Sequence, residues 1–108
     1  MTVGELCNQP GFNTVVCPSP NREITGVYIG DLLSWVMGRA PADSAWVTIM
    51  SNINVIAVAT LADTSCIILA EGVTLDSEVK MTAEQKSINV LTSELSAYEI
   101  ALRLNEKI

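Results

Sequence analysis

A chain of 108 residues with 49% hydrophobic and 17% charged side chains has enough apolar material to bury a core without a disulfide or metal, and only a thin charged surface. Its formal charge of −6 comes from twelve Asp/Glu against six Lys/Arg, and Arg22, Arg39, Lys80, Lys86, Arg103 and Lys107 are scattered, so no basic stripe exists to follow nucleic acid or an anionic membrane. With no histidine, zinc and iron sites lose their usual nitrogen ligand and no Ser-His-Asp or Cys-His set forms.

In chain order, Thr2 followed by Glu5 has the spacing of a capping box and predicts a short opening helix over Val3–Asn8. "QPG" at 9–11 breaks it. The β-branched "FNTVVC", 12–17, predicts a strand, and "PSPN" ends it, since proline cannot donate to a ladder. The start "MTVGELCNQ" lacks the positive and apolar regions of a signal peptide, so the chain is expected to be cytoplasmic. Ile24 to Ile29 predicts a second strand. From Asp31 the period changes, and Leu32, Leu33, Trp35, Val36 and Met37 predict a helix that starts at Gly30 or Asp31 and ends near Gly38 and Pro41.

"AWVTIM", 45–50, and "SCIILA", 65–70, predict two more strands, the latter unalternated and so covered on both faces. Between them "SNINVIAVATLAD" fits an antiparallel strand turned at Ser51–Asn52, or a helix capped by Ser51 or Asn52. The helix is preferred, because a parallel connection needs a crossover of this length and Ala57, Ala59 and Ala62 suit close packing on a sheet. "DSEVKMTAEQKS", 76–87, predicts a solvated helix with an Asp cap, and "INVLTS", 88–93, a fifth strand. The last segment predicts a helix with Leu95, Tyr98, Ile100, Ala101, Leu102 and Leu104 on one broad apolar stripe. Alternation of strand and helix from residue 24 onward means an α/β fold, one mostly parallel sheet of about five strands with helices on its faces.

Chemistry is sparse. No phosphate loop of the G-x-x-x-x-G-K-[ST] type occurs, and Gly26 and Gly30 stand four apart without a third glycine. The acids are dispersed, so no catalytic residue, metal or cofactor is assigned. Polar residues just past strand ends remain: Gly30 and Asp31; Ser51, Asn52 and Asn54; Thr92, Ser93, Glu94 and Ser96. Helix N-termini there would offer amide donors to an anion, with simple capping as the competing use of the same side chains. Asp31 and Glu94 would repel a phosphate unless a cation intervened. Three cysteines and no C-x-x-C indicate free structural thiols. Cys17, directly after a strand, also fits a thiol phosphocarrier, a remote alternative because Pro18 and Pro20 remove two of the amides that would hold the phosphoryl group.

Together "REITGVYIGDLLSWVM", "AWVTIMSNINVIAVATLAD", "CIILAEG" and "LTSELSAYEIALRL", preceded by "TVGELC", resemble the DRTGG domain family. Arg22, Thr25 and Gly26 correspond to its signature, and Val27 stands where a second glycine is expected. That family accompanies CBS-pair modules and is similar to the N-terminal domain of HPr kinase/phosphorylase. The resemblance implies a three-layer α/β/α sandwich, one domain over 1–108, often homodimeric, with a regulatory rather than catalytic role. By analogy an adenine nucleotide or other small phosphorylated metabolite is the expected ligand. The alternative is an accessory subunit that binds a partner enzyme or sensor through Trp35, Val36, Met37 and Tyr98, with no small ligand, although a core role for each of the four is the favoured use of such side chains.

Overall fold

The computed structural model describes residues 1–108. Its elements are α1 (Val3–Cys7), β1 (Asn13–Val16), β2 (Gly26–Ile29), α2 (Leu33–Arg39), β3 (Ser44–Thr48), α3 (Asn54–Ala62), β4 (Cys66–Leu69), α4 (Ser77–Gln85), β5 (Val90–Thr92) and α5 (Ala97–Asn105). The five strands form one sheet in the order β1-β5-β4-β3-β2, parallel except for the β1–β5 pair. The segment between β3 and β4 is a helix, as a parallel neighbour requires.

Layering follows from handedness. Each step from β2 to β3, β4 and β5 moves one place in the same direction, so right-handed crossovers must put α2, α3 and α4 on one face. The core clusters agree: Val36, Val55, Ile56, Val79 and Ala83 pack with Trp46, Ile67 and Leu69 on that face. On the other, Val3 and Leu6 of α1 and Ile100 and Leu104 of α5 pack with Val47, Ile68 and Leu91. β4 alternates between the two, Cys66 and Ile68 to one and Ile67 and Leu69 to the other, which explains its unbroken apolar run. Trp46 is fully buried, and its ring N–H donates to the Gly30 carbonyl at 2.8 Å, so the core's largest side chain leaves no polar atom unpaired.

Several local expectations are corrected. α2 begins with Leu32 as its N-cap and has no side-chain cap; Asp31 turns back to the sheet instead, accepting from Thr48 Oγ1 at 2.7 Å and Ile49 N at 3.0 Å. α3 is capped by neither Ser51 nor Asn52: Ile53 is its N-cap, while Asn52 Oδ1 accepts from Asn54 N at 2.9 Å in a turn just ahead of the helix. Asp76 occupies the N-cap of α4 without a capping hydrogen bond. The α5 stripe is divided, with Ile100 and Leu104 buried and Tyr98 and Leu102 in solvent. α1 and α5 do carry capping boxes, Thr2 with Glu5 and Ser96 with Glu99.

Candidate functional site

The parallel strands give the sheet two chemically distinct edges. At their N-terminal edge Arg22 is enclosed. Arg22 Nη2 donates to Asp43 Oδ1 at 2.9 Å, Asp63 Oδ1 at 2.8 Å and the Asp63 carbonyl at 2.6 Å. Burial alone would lower the Arg22 pKa, and the hydrogen bonds and charges of the two aspartates outweigh it and raise it. Both aspartates are in the left-handed region, at φ of 65° and 57°, where Asp is among the few tolerated side chains. Backbone bonds tie the same turns together, Asp43 N to Asp63 O and Thr25 N to Asp43 O, each at 2.9 Å. The Thr25 hydroxyl adds a bond of 3.3 Å to the Asp43 carbonyl.

Next to this clamp, buried Asn89 joins three segments. Its amide N donates to Ser19 O at 2.9 Å and Ser65 O at 3.0 Å, and its Oδ1 accepts from Ser19 N at 2.9 Å. Ser65 Oγ in turn donates to the Glu23 carbonyl. Arg22 and Thr25 therefore use their polar atoms within the chain.

At the C-terminal edge the sequence-selected residues fall into two groups. Gly30, Asp31, Ser51, Asn52 and Asn54 surround the starts of α2 and α3, which pack against each other. The first-turn amides of α3 are all used within the chain, Asn54 N by Asn52 Oδ1, Val55 N by Asn52 O and Ile56 N by Ile53 O, so the amides left open toward this rim are those of Leu33 and Ser34 at the start of α2. Thr92 is the last residue of β5, a correction to its expected place past the strand, and Ser93, Glu94 and Ser96 follow it as the chain leaves for the opposite face. Ser93 Oγ donates to Gly11 O at 2.6 Å and accepts from Leu95 N at 3.1 Å, and Ser96 is used in its capping box.

Exits from β4 and β5 to opposite faces make a topological switch point, the usual ligand crevice of such sheets. Here the two loops are joined by backbone bonds, Gly72 N to Ser93 O and Glu71 N to Leu95 O, each 2.9 Å. Glu71 and Gly72 both adopt positive φ, 61° and 75°, and a Cβ at Gly72 would run into the Glu94 carboxylate. Sequence reading passed over this turn; "AEG" after an unalternated apolar strand was its only signal.

Two concavities exist, one reaching the rim at Ile53 and Asn54 and the other away from it. One, about 450 Å³, lies between α3 and α4 and includes Asn54, Thr60, Leu61 and Lys86. The other, about 410 Å³, lies where α5 passes the open edge of β2, with Tyr98, Leu102, Asn105 and Ile108 around the bare Gly26. Nothing lies within 4 Å of a Cβ built on Gly26, so there is room for a side chain at this position. Of the four candidate partner contacts, Val36 is fully buried in the favoured core role, packed with Trp46 of β3, whereas Trp35 (52% exposed), Met37 and Tyr98 (70%) stand in solvent instead of in the core. Arg39 covers one face of Trp35, 3.8 Å from the ring centroid. Cys7 and Cys17 are half-buried and Cys66 is buried, all as free thiols. No three His, Cys, Asp or Glu side chains converge to hold a metal, and no helix is long and apolar enough to cross a membrane.

A DRTGG domain family profile matches residues 20–107. The fold is also similar to that of the CBS and DRTGG domains of the regulatory region of Clostridium perfringens pyrophosphatase, in complex with the activator diadenosine tetraphosphate. The TM-score is 0.65 at 15% identity, over 86% of this chain and 40% of that one. The chain thus spans well under half of that structure. No curated protein matches the sequence.

Proposed function

This chain belongs to the DRTGG domain family, and from that premise we propose that residues 1–108 act as one non-catalytic regulatory module, working in the cytoplasm and sensing a small phosphorylated ligand, foremost an adenine nucleotide. The family match over residues 20–107 carries this reading. Likeness to a regulatory region complexed with an adenine dinucleotide supports it. The proposed contact surface is the C-terminal rim. The uncapped start of α2, with the amides of Leu33 and Ser34 unpaired, offers backbone donors to an anion beside Gly30–Asp31 and Ser51–Asn54. Asp31 and Glu94 are acceptors suited to ribose hydroxyls or an adenine amino group. With a net charge of −6 and these carboxylates at the rim, a polyphosphate would bind as its magnesium complex. Thr92, Ser93 and Ser96 position the loop that carries Glu94.

Thermal unfolding with AMP, ADP, ATP, diadenosine tetraphosphate and small sugar phosphates, each with and without magnesium, tests the reading. A ligand at 100 times its Kd stabilises by about 2.7 kcal/mol. A shift for at least one adenine compound is expected, and none at millimolar concentration would overturn the proposal.

The open edge of β2 favours a second role, homodimer formation. Its strand, Gly26–Ile29, has neither charge nor proline to block pairing, and Tyr98, Leu102 and Ile108 border it in solvent. A second copy presents the same free strand, so it is preferred over a partner enzyme as occupant. Sedimentation should give a dimer that Leu102→Glu dissociates; a monomer at micromolar concentration would contradict it.

A further inference from the structure

The three cysteines, far apart in sequence, border one core. Cys7 closes α1, Cys17 follows β1 and Cys66 begins β4, and all belong to the cluster beneath α1 and α5. Cys7 Sγ donates to Cys17 Sγ across 3.8 Å. An S–H to sulfur bond is weak, so packing alone gives little reason for two half-buried thiols to face each other. Covalent S–S distance, about 2.05 Å, is within reach of side-chain rotation from this separation. Cys66 is fully buried and out of reach of solvent oxidants.

We propose that Cys7 and Cys17 form a reversible redox site that closes to an intramolecular disulfide by exchange with a low-molecular-weight disulfide of the glutathione class. The Cys7 thiolate attacks one sulfur of the small disulfide, forming a mixed disulfide and expelling one small thiolate. Cys17 then loses its proton and its sulfur attacks Cys7 Sγ, expelling the second small thiolate. The two protons lost by the protein are taken up by the two leaving thiolates, so two protein thiols are oxidised as one small disulfide is reduced to two thiols. Burial, and then the neighbouring Cys7 sulfur, push the Cys17 thiol up to about 11, which suits the slower, resolving role.

The site has a mechanical consequence at Arg22. α1 is tied to the returning chain by Val3 N to Arg22 O at 2.9 Å and Gly4 N to Pro20 O at 2.8 Å. A bond between Cys7 and Cys17 braces the segment that presents Arg22 to its aspartates. This proposal is independent of the ligand reading.

Its test uses the native chain in glutathione buffers of increasing oxidised fraction, followed by alkylation under denaturing conditions and tryptic mass mapping. No Lys or Arg precedes Arg22, so both cysteines fall in the peptide 1–22, while Cys66 falls in 40–80. The expected result is a 1–22 peptide lighter by two hydrogens and unalkylated, with Cys66 alkylated. Oxidation should raise Tm by about 5 °C or more, reversibly with dithiothreitol. Cys66→Ser should leave closure unchanged, and Cys17→Ser should leave a glutathione adduct on Cys7. Two alkyl groups on peptide 1–22 in the most oxidising buffer would overturn the proposal, as would a disulfide to Cys66 or a lowered Tm.

Discussion

The two edges of the sheet differ in how far their polar residues are tied together. At the N-terminal edge, Arg22, Asp43, Asp63, Asn89 and Ser65 bond to one another or to backbone carbonyls, joining the turns ahead of β2, β3, β4 and β5. At the C-terminal edge, α2 and α3 start without side-chain caps, and Ile29, Leu32, Ile49 and Ile53 remain in solvent. One edge stores stability; the other keeps the Leu33 and Ser34 amides and an apolar surface unspent. Arg22 and Thr25 belong to the first kind, so the arginine is best understood as a clamp that fixes strand ends. Gly26 differs from both. It needs no special φ, and it borders the groove at the β2 edge with room for a side chain.

Substitutions at each edge should separate stability from ligand response. Asn89→Ala has the largest expected effect, because it strands the buried Ser65 carbonyl and the half-buried amide and carbonyl of Ser19. A loss of about 3 kcal/mol in urea unfolding is expected, with the ligand response kept in the folded fraction. Arg22→Ala comes next, at about 1–2 kcal/mol, discounted because Asp43 and Asp63 are more than half exposed. Arg22→Lys, a single point charge in place of a planar fork, should recover only part of it.

At the other edge Asp31→Ala should cost about 1 kcal/mol, from two accepted hydrogen bonds at an exposed residue. It should also abolish the nucleotide-dependent rise in Tm; loss of stability with an unchanged nucleotide response would blur the contrast between the edges. The smallest effect concerns pH. The Cys17 pKa is raised in the folded chain to about 11, so between about pH 9 and 11 the folded state holds more protons than the unfolded one. Stability should therefore fall slightly as pH rises through that window, and Cys17→Ser should flatten the decline.

Much of the fold was legible because it rests on local pattern. The unalternated "CIILA" run announced a strand covered on both sides, and crossover length decided that 54–62 is a helix. The capping box at Thr2 was readable by spacing alone. What failed was the link between a polar residue and its partner when that partner is distant in sequence. Asp31 looked like a cap for α2, yet the hydroxyl of Thr48, brought alongside by the β2–β3 pairing, holds it. Asn89 and the Cys7–Cys17 contact were invisible for the same reason, since each depends on segments that meet only after folding. Val36 and Tyr98 could not be told apart as buried and exposed without knowing which face each helix turns to the sheet.

The most direct test of a ligand-sensing C-terminal edge is a titration of the isotopically labelled native chain with ATP and diadenosine tetraphosphate in magnesium, followed by amide NMR shifts. Saturable changes are expected at residues 30–34, 51–55 and 92–96, with the amides of Arg22, Asp43, Asp63 and Asn89 unmoved. Changes centred instead on Gly26, Tyr98 and Leu102, or no saturable change at all, would contradict it.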